Sequence, residues 1–234
     1  MPREIANALI VVAKRPAPGQ TKTRLSPSLS PEQAAALYEC FLRDTLDQIR
    51  QVNEVQRVIA YLPLDATDHF HKFAPDFQLI PQSGQQLGDR LDNALTYYLS
   101  RGYERVVIMD SDSPTLPTAY LSQAFHVLED GADVSLGPCE DGGYYLIGLR
   151  QPAPRLLREV QMSTPTVAAD TITLAKEEGL SVNLLPTWYD VDDAASLTRL
   201  VREMATLEPQ VAIHTRRFLE ENAIHRLIGN GVEN

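Results

Sequence analysis

The chain has 234 residues, of which 44% are hydrophobic and 22% charged, the composition of one soluble globular domain that needs no disulfide staples. Its 31 acidic residues outnumber 21 basic ones, and a formal net charge of −10 sets it against duplex nucleic acid, whose binding wants a basic face. No apolar run approaches the ~18 residues that span a bilayer, Met1-Pro2-Arg3-Glu4 has no signal-peptide layout, and Cys40 and Cys139 lack C-x-x-C spacing. These features predict a reduced, cytoplasmic protein with no membrane partner.

The elements alternate along the chain. Ala8 to Ala13 is a continuous apolar run, as expected of a strand covered on both faces. Ser30-Pro31-Glu32-Gln33 matches a capping box with proline at the first helical position. Behind it, Ala34, Leu37, Tyr38, Phe41, Leu42, Thr45, Leu46 and Ile49 recur at helical spacing. Strands are predicted over 56–62, 77–81, 105–110 and 132–137, with helices over 87–99 and 117–128 that end before Gly102 and Gly131. A strand over 142–149, a helix over 166–178, a strand near 182–185 and helices over 194–204 and 209–227 complete the pattern. Strand alternating with helix means an α/β protein with a mostly parallel sheet in a three-layer α/β/α arrangement. The break at Glu208-Pro209 divides a body, 1–207, from a C-terminal helical extension, 208–234, which packs on the body or on a second copy of the chain.

Sheets of this kind bind ligands beyond the carboxyl ends of their strands. After the first strand, Lys14, Arg15, Lys22 and Arg24 concentrate scarce cations in eleven residues, stiffened by Pro16 and Pro18 and opened by Gly19. A fixed basic loop suits the phosphates of a nucleotide, with Arg24 able to make bidentate contacts; a solvated charge cluster is the plain alternative. The spacing is not that of a Walker motif. After the 105–110 strand, Asp110 and Asp112 stand at i and i+2, on the same side of an extended backbone. Oxygen ligands of this kind suit Mg²⁺ or Mn²⁺, although an aspartate here also serves to shape a turn. Asp190, Asp192 and Asp193 form a second acidic group; Asp193 is expected to cap the helix at Ala194, and Asp112 and Asp192 to share one divalent ion.

In Glu140-Asp141-Gly142-Gly143-Tyr144, either acid is a candidate to bind acceptor hydroxyls or act as base, and Gly142, Gly143 and Tyr144 would line the acceptor. Asp-Gly is equally the signal of a hairpin turn. Gly88 and Arg90 open a helix whose backbone N–H groups suit an anion or a base edge, or simple turn chemistry. The five histidines give no zinc spacing.

Taken jointly, K-x-P-x-P-G-x-x-K-T-R-L at Lys14 to Leu25, L-G-x-R at Leu87 to Arg90, S-D-S-P at Ser111 to Pro114, E-D-G-G-Y-Y at Glu140 to Tyr145 and Y-D-V-D at Tyr189 to Asp192 resemble a known family. It comprises bacterial transferases of the nucleotide-diphospho-sugar transferase (GT-A) fold that accompany radical-SAM/selenodomain proteins, often labelled arsenosugar-biosynthesis glycosyltransferases. The likeness spans roughly residues 5–205. The first loop is also similar to 2-phospho-lactate guanylyltransferases and, more distantly, to molybdenum-cofactor nucleotidyltransferases. The resemblance implies nucleotide binding by the loop from Lys14 to Arg24 and metal binding by Asp112, with Asp192 as second ligand. Where those relatives usually carry a small residue, this chain has Asp110, which makes a literal D-x-D.

Two enzymatic readings follow. A glycosyltransferase would hold a nucleotide-sugar donor through Mg²⁺ or Mn²⁺, with Lys22 and Arg24 neutralising the leaving group and Glu140 or Asp141 placing the hydroxyl of a small-molecule acceptor. A nucleotidyltransferase would join a nucleoside triphosphate to a phosphorylated small molecule. The literal D-x-D favours the first and the dense cations the second; a non-catalytic nucleotide-binding subunit is the third reading.

Overall fold

The computed structural model describes residues 6–26 and 28–224. In chain order these form β1 (Asn7–Lys14), a 3₁₀ turn (Thr23–Leu25), α1 (Pro31–Arg50), β2 (Val55–Leu62), α2 (Thr67–Phe73), β3 (Gln78–Pro81), α3 (Leu87–Leu99) and β4 (Arg105–Met109). There follow α4 (Thr118–Glu129), β5 (Val134–Pro138), β6 (Tyr144–Leu149), α5 (Arg155–Arg158), α6 (Val167–Glu177), β7 (Val182–Leu184), α7 (Ala194–Met204) and α8 (Ile213–Glu221). No helix among the described residues is long and apolar enough to cross a membrane.

The residues group into two compact units. The first, 6–15, 49–110 and 117–189, carries the whole seven-stranded sheet, in the order β3-β2-β1-β4-β6-β5-β7. Four of its six pairings are parallel; β6 runs antiparallel to both β4 and β5. Leu9 registers with Arg57 of β2 on one side and Val107 of β4 on the other. Strand order reverses between β1 and β4, so the loops that leave their carboxyl ends start at the switch point.

Both faces of the sheet are covered within this unit. Ala8, Ile10, Val58, Ala60, Val106, Ile108, Leu136 and Ile147 share one core with Leu91 and Leu95 of α3, Leu156 and Leu157 of α5, and Ala168 and Ala175 of α6. On the other face, Gly148 lies against Val107, Ser135 and Leu128 of α4. This two-sided burial is why the strands read as unbroken apolar runs, each fully buried Leu or Ile contributing about 1.5–3 kcal/mol.

The second unit holds 16–48, 111–116 and 190–224, and so α7, α8 and most of α1. The capping box of α1 is formed: Ser30 N–H donates to Gln33 Oε1 at 3.0 Å and Gln33 N–H to Ser30 Oγ at 3.2 Å. All eight residues of its predicted apolar stripe are buried. Asp193 caps α7 by accepting Ser196 N–H at 2.8 Å.

The last helix departs from expectation. It starts at Ile213 rather than near 209, because Ala212 is left-handed (φ 49°) and a turn closes from Val211 N–H to Glu208 C=O. Its N-terminus is held by Asp44, which accepts the N–H of His214 and of Thr215, each at 2.9 Å. Residues 225–227 of the predicted helix lie outside the described residues.

Candidate functional site

The cationic loop is braced from inside. Gln20 and Thr21 N–H both donate to Ala17 C=O, and the buried Thr21 hydroxyl donates to the same carbonyl at 3.2 Å. The chain then takes a left-handed residue at Lys22 (φ 49°, ψ 41°) and enters the 3₁₀ turn, with Leu25 N–H on Lys22 C=O. A non-glycine residue in this region carries backbone strain and is an indication of a demanding local role.

The loop after β4 is fixed independently. Tyr38 of α1 shares a hydrogen bond of 3.0 Å with Ser111, Gln48 of α1 donates to Pro114 C=O at 2.6 Å, and Val191 N–H donates to Asp112 C=O at 2.9 Å. That last bond ties the two acidic segments together.

These supports bring four of the predicted residues into one cluster. The Lys22 ammonium, with a side chain only 6% exposed, lies 2.9 Å from Asp112 Oδ1 and donates to Asp192 Oδ1 at 2.6 Å. Arg24, largely exposed, donates to Asp192 Oδ2. Burial by itself would lower the Lys22 pKa, but Asp112 and Asp192 outweigh it and hold the ammonium charged well above its ordinary 10.5. Burial would raise Asp192, yet Lys22 and Arg24 keep its carboxyl below the ordinary 3.8. By linkage, Asp192 contributes stability that is full above pH 3.8 and lost as pH falls through its lower native value; Lys22 contributes stability that is full below pH 10.5 and lost at higher pH. In chelator-treated protein, the difference in unfolding midpoint between wild type and Asp192→Asn should therefore be flat from pH 5 to 9 and shrink below 3.8.

Pro16 and the exposed Gly19 belong to the same unit as this cluster; Lys14, Gly88, Arg90 and 140–144 belong to the other. In that unit the hairpin reading holds for Gly142-Gly143, which join β5 to β6 with Cys139 N–H on Gly143 C=O at 2.9 Å. Asp141 Oδ1 accepts Gly143 N–H at 2.8 Å, and Glu140 N–H donates to Trp188 C=O at 3.0 Å. Gly142, at φ 90°, faces the Pro165 carbonyl so closely that a Cβ would sit 1.8 Å from its oxygen. The Tyr144 hydroxyl donates to Met162 Sδ at 3.7 Å, and burial pushes its pKa up. At the start of α3, Asp89 accepts Gln86 N–H at 3.1 Å, and Arg90 has a buried Nε without a hydrogen-bond partner. Asp110 N–H donates to Tyr145 C=O at 3.0 Å.

The sequence places Tyr38 in the core and Ser111 at the head of the S-D-S-P motif, with no role for either beyond that and none for Gln48 or Thr21. Their signal was polarity on an otherwise apolar stripe or beside the acidic motif, which gains meaning only once the partner is known.

The seven-stranded, mostly parallel sheet with helices on both faces is that of the nucleotide-diphospho-sugar transferase (GT-A) fold. The chain belongs to the family described as "Uncharacterized protein conserved in bacteria (DUF2064)", whose model matches residues 45–164. It is 31% identical to a crystal structure from Desulfovibrio desulfuricans G20 described as a "putative nucleotide-diphospho-sugar transferase", covering 96% of this chain and 97% of that one with a TM-score of 0.89. It is 28% identical over 184 residues to 2-phospho-L-lactate guanylyltransferase from Methanothermobacter thermautotrophicus, covering 77% of this chain and 78% of the relative. A cytidylyltransferase from Leptospira borgpetersenii shares the fold at 12% identity, covering 97% of this chain and 98% of that one with a TM-score of 0.54. The first two likenesses support a nucleotide-using transferase.

Proposed function

We propose that the protein is a metal-dependent glycosyltransferase that uses a nucleotide-diphospho-sugar donor and a small-molecule acceptor. The observation that carries this reading is the convergence of Lys22, Arg24, Asp112 and Asp192. Two carboxylates from separate loops meet on one cation, the Lys22 ammonium, which supports Asp112 and Asp192 as the residues that would hold Mg²⁺ or Mn²⁺. Such an ion supplies charge neutralisation for a leaving diphosphate.

Lys22 and Arg24 add fixed positive charge where phosphate oxygens become more negative. The stiff turn from Ala17 to Thr21 limits the reorganisation that this costs. Pro16 and Gly19, in the same unit, extend the nucleotide-binding surface of the cluster in this reading; Lys14, Gly88 and Arg90, with its buried unpartnered Nε, are further proposed nucleotide-binding residues. Asp141 or Glu140 is proposed to orient the acceptor hydroxyl and take its proton, with Gly142, Gly143 and Tyr144 as acceptor-binding residues.

The similarity to the guanylyltransferase favours a second reading, nucleotidyl transfer to a phosphorylated acceptor. Phosphorus NMR of turnover mixtures separates the two. Glycosyl transfer from a nucleotide-diphospho-sugar releases a nucleoside diphosphate and no pyrophosphate; pyrophosphate from a triphosphate would overturn the first reading in favour of the second.

A further inference from the structure

The Lys22 ammonium occupies the point that a divalent ion would need. Its side chain is 6% exposed, and Asp112 and Asp192 hold it from two sides at 2.9 and 2.6 Å. Arg24 engages the other oxygen of Asp192. Two carboxylates and two side-chain cations leave this cluster formally neutral. Adding a dication while Lys22 stayed would put two cations within bonding distance of the same oxygens, in a partly desolvated place where repulsion is weakly screened.

Resting on the metal-linked nucleotide reading, we propose that Lys22 is a tethered cation that competes with the divalent ion for the Asp112–Asp192 pair, so that metal enters together with phosphate. The phosphates offer the ammonium a new partner as it leaves the carboxylates, and the charge balance is restored. The left-handed backbone at Lys22 (φ 49°, ψ 41°) fits a residue held in a strained position by its carboxylate partners. The class of behaviour this predicts is ordered: weak binding of metal alone, strong binding of metal with a polyphosphate.

The test is Mn²⁺ binding followed by electron paramagnetic resonance on the full chain, with no nucleotide present. Lys22→Met should bind Mn²⁺ about tenfold or more tightly than wild type, and its unfolding midpoint should respond at an about tenfold lower concentration of Mn²⁺ alone. A second measurement needs no variant. Acylation of the Lys22 amine by an N-hydroxysuccinimide ester, read by peptide mass spectrometry, should rise severalfold as millimolar Mn²⁺ occupies the wild-type site. If Asp112→Asn abolishes Mn²⁺ binding while Lys22→Met leaves it unchanged and Lys22 acylation does not respond to Mn²⁺, the competition is refuted and the metal site stands. If neither protein binds Mn²⁺ with or without tripolyphosphate, the metal site itself is refuted, and the competition with it.

Discussion

Asp112→Asn should lower turnover about a hundredfold or more while the protein stays folded. The fold survives because the 111–116 loop does not depend on this carboxylate: Tyr38, Gln48 and the Val191 N–H hold it through Ser111, Pro114 and a main-chain carbonyl. The variant still loses one partner of Lys22. With the Lys22 side chain only 6% exposed but Asp192 still present, that loss costs about 1–3 kcal/mol, a shift of roughly 2–12 °C that leaves the protein folded. On the proposed reading catalysis has no such reserve, since Asp112 would supply one of only two carboxylates to the metal. Arg24→Ala should be milder, weakening nucleotide binding about tenfold, because that side chain is 70% exposed. Full metal-dependent turnover by a folded Asp112→Asn protein would remove Asp112 from the site.

Gly88→Ala should be the most damaging conservative change at a candidate nucleotide-binding position, costing about 2–3 kcal/mol, or roughly 4–12 °C in midpoint. A Cβ at Gly88 would lie 1.9 Å from the Leu157 carbonyl oxygen and 2.9 Å from its carbon. The obstacle is backbone, so no side-chain rotation relieves it, and α5 must shift. Leu156 and Leu157, both fully buried, would move with it, and so would Arg158, which donates to Asp89 at 3.1 Å and Asn93 at 2.6 Å. Gly19→Ala is the contrast: nothing stands within 4 Å, so only its positive φ of 70° is penalised, about 1 kcal/mol. Equal midpoints for the two variants, measured by thermal or urea unfolding, would show that the α3–α5 approach is not as close as described.

Gly88 also shows where sequence reading stops. L-G-x-R invites a nucleotide, and the helix start at Leu87 was predictable, but the carbonyl that requires a glycine lies 69 positions further on. The elements that were legible are those with enough length to display a period or a cap: α1 with its reciprocal Ser30–Gln33 bonds, α3 over Leu87–Leu99 and α7 behind Asp193. The short α2 and the four-residue α5 were not, since one or two turns carry no readable periodicity. The acidic and basic motifs announced Asp112, Asp192, Lys22 and Arg24 individually. That Lys22 would be buried between the two aspartates, rather than solvated beside them, depends on a left-handed turn that no residue type in the loop demands.

Lys22, Arg24, Asp112 and Asp192 are proposed to form one metal-linked nucleotide site. Its most direct test is thermal unfolding of wild type and Asp112→Asn against nucleotide sugars and nucleoside triphosphates, each with and without Mn²⁺. A ligand at 100 times its Kd adds about 2.7 kcal/mol, roughly 5–11 °C for a chain of this length. Such a shift is expected in wild type for one nucleotide sugar, only when Mn²⁺ is present, and should be lost in Asp112→Asn. An equal shift in both proteins, or no shift across the panel, would contradict the proposed site.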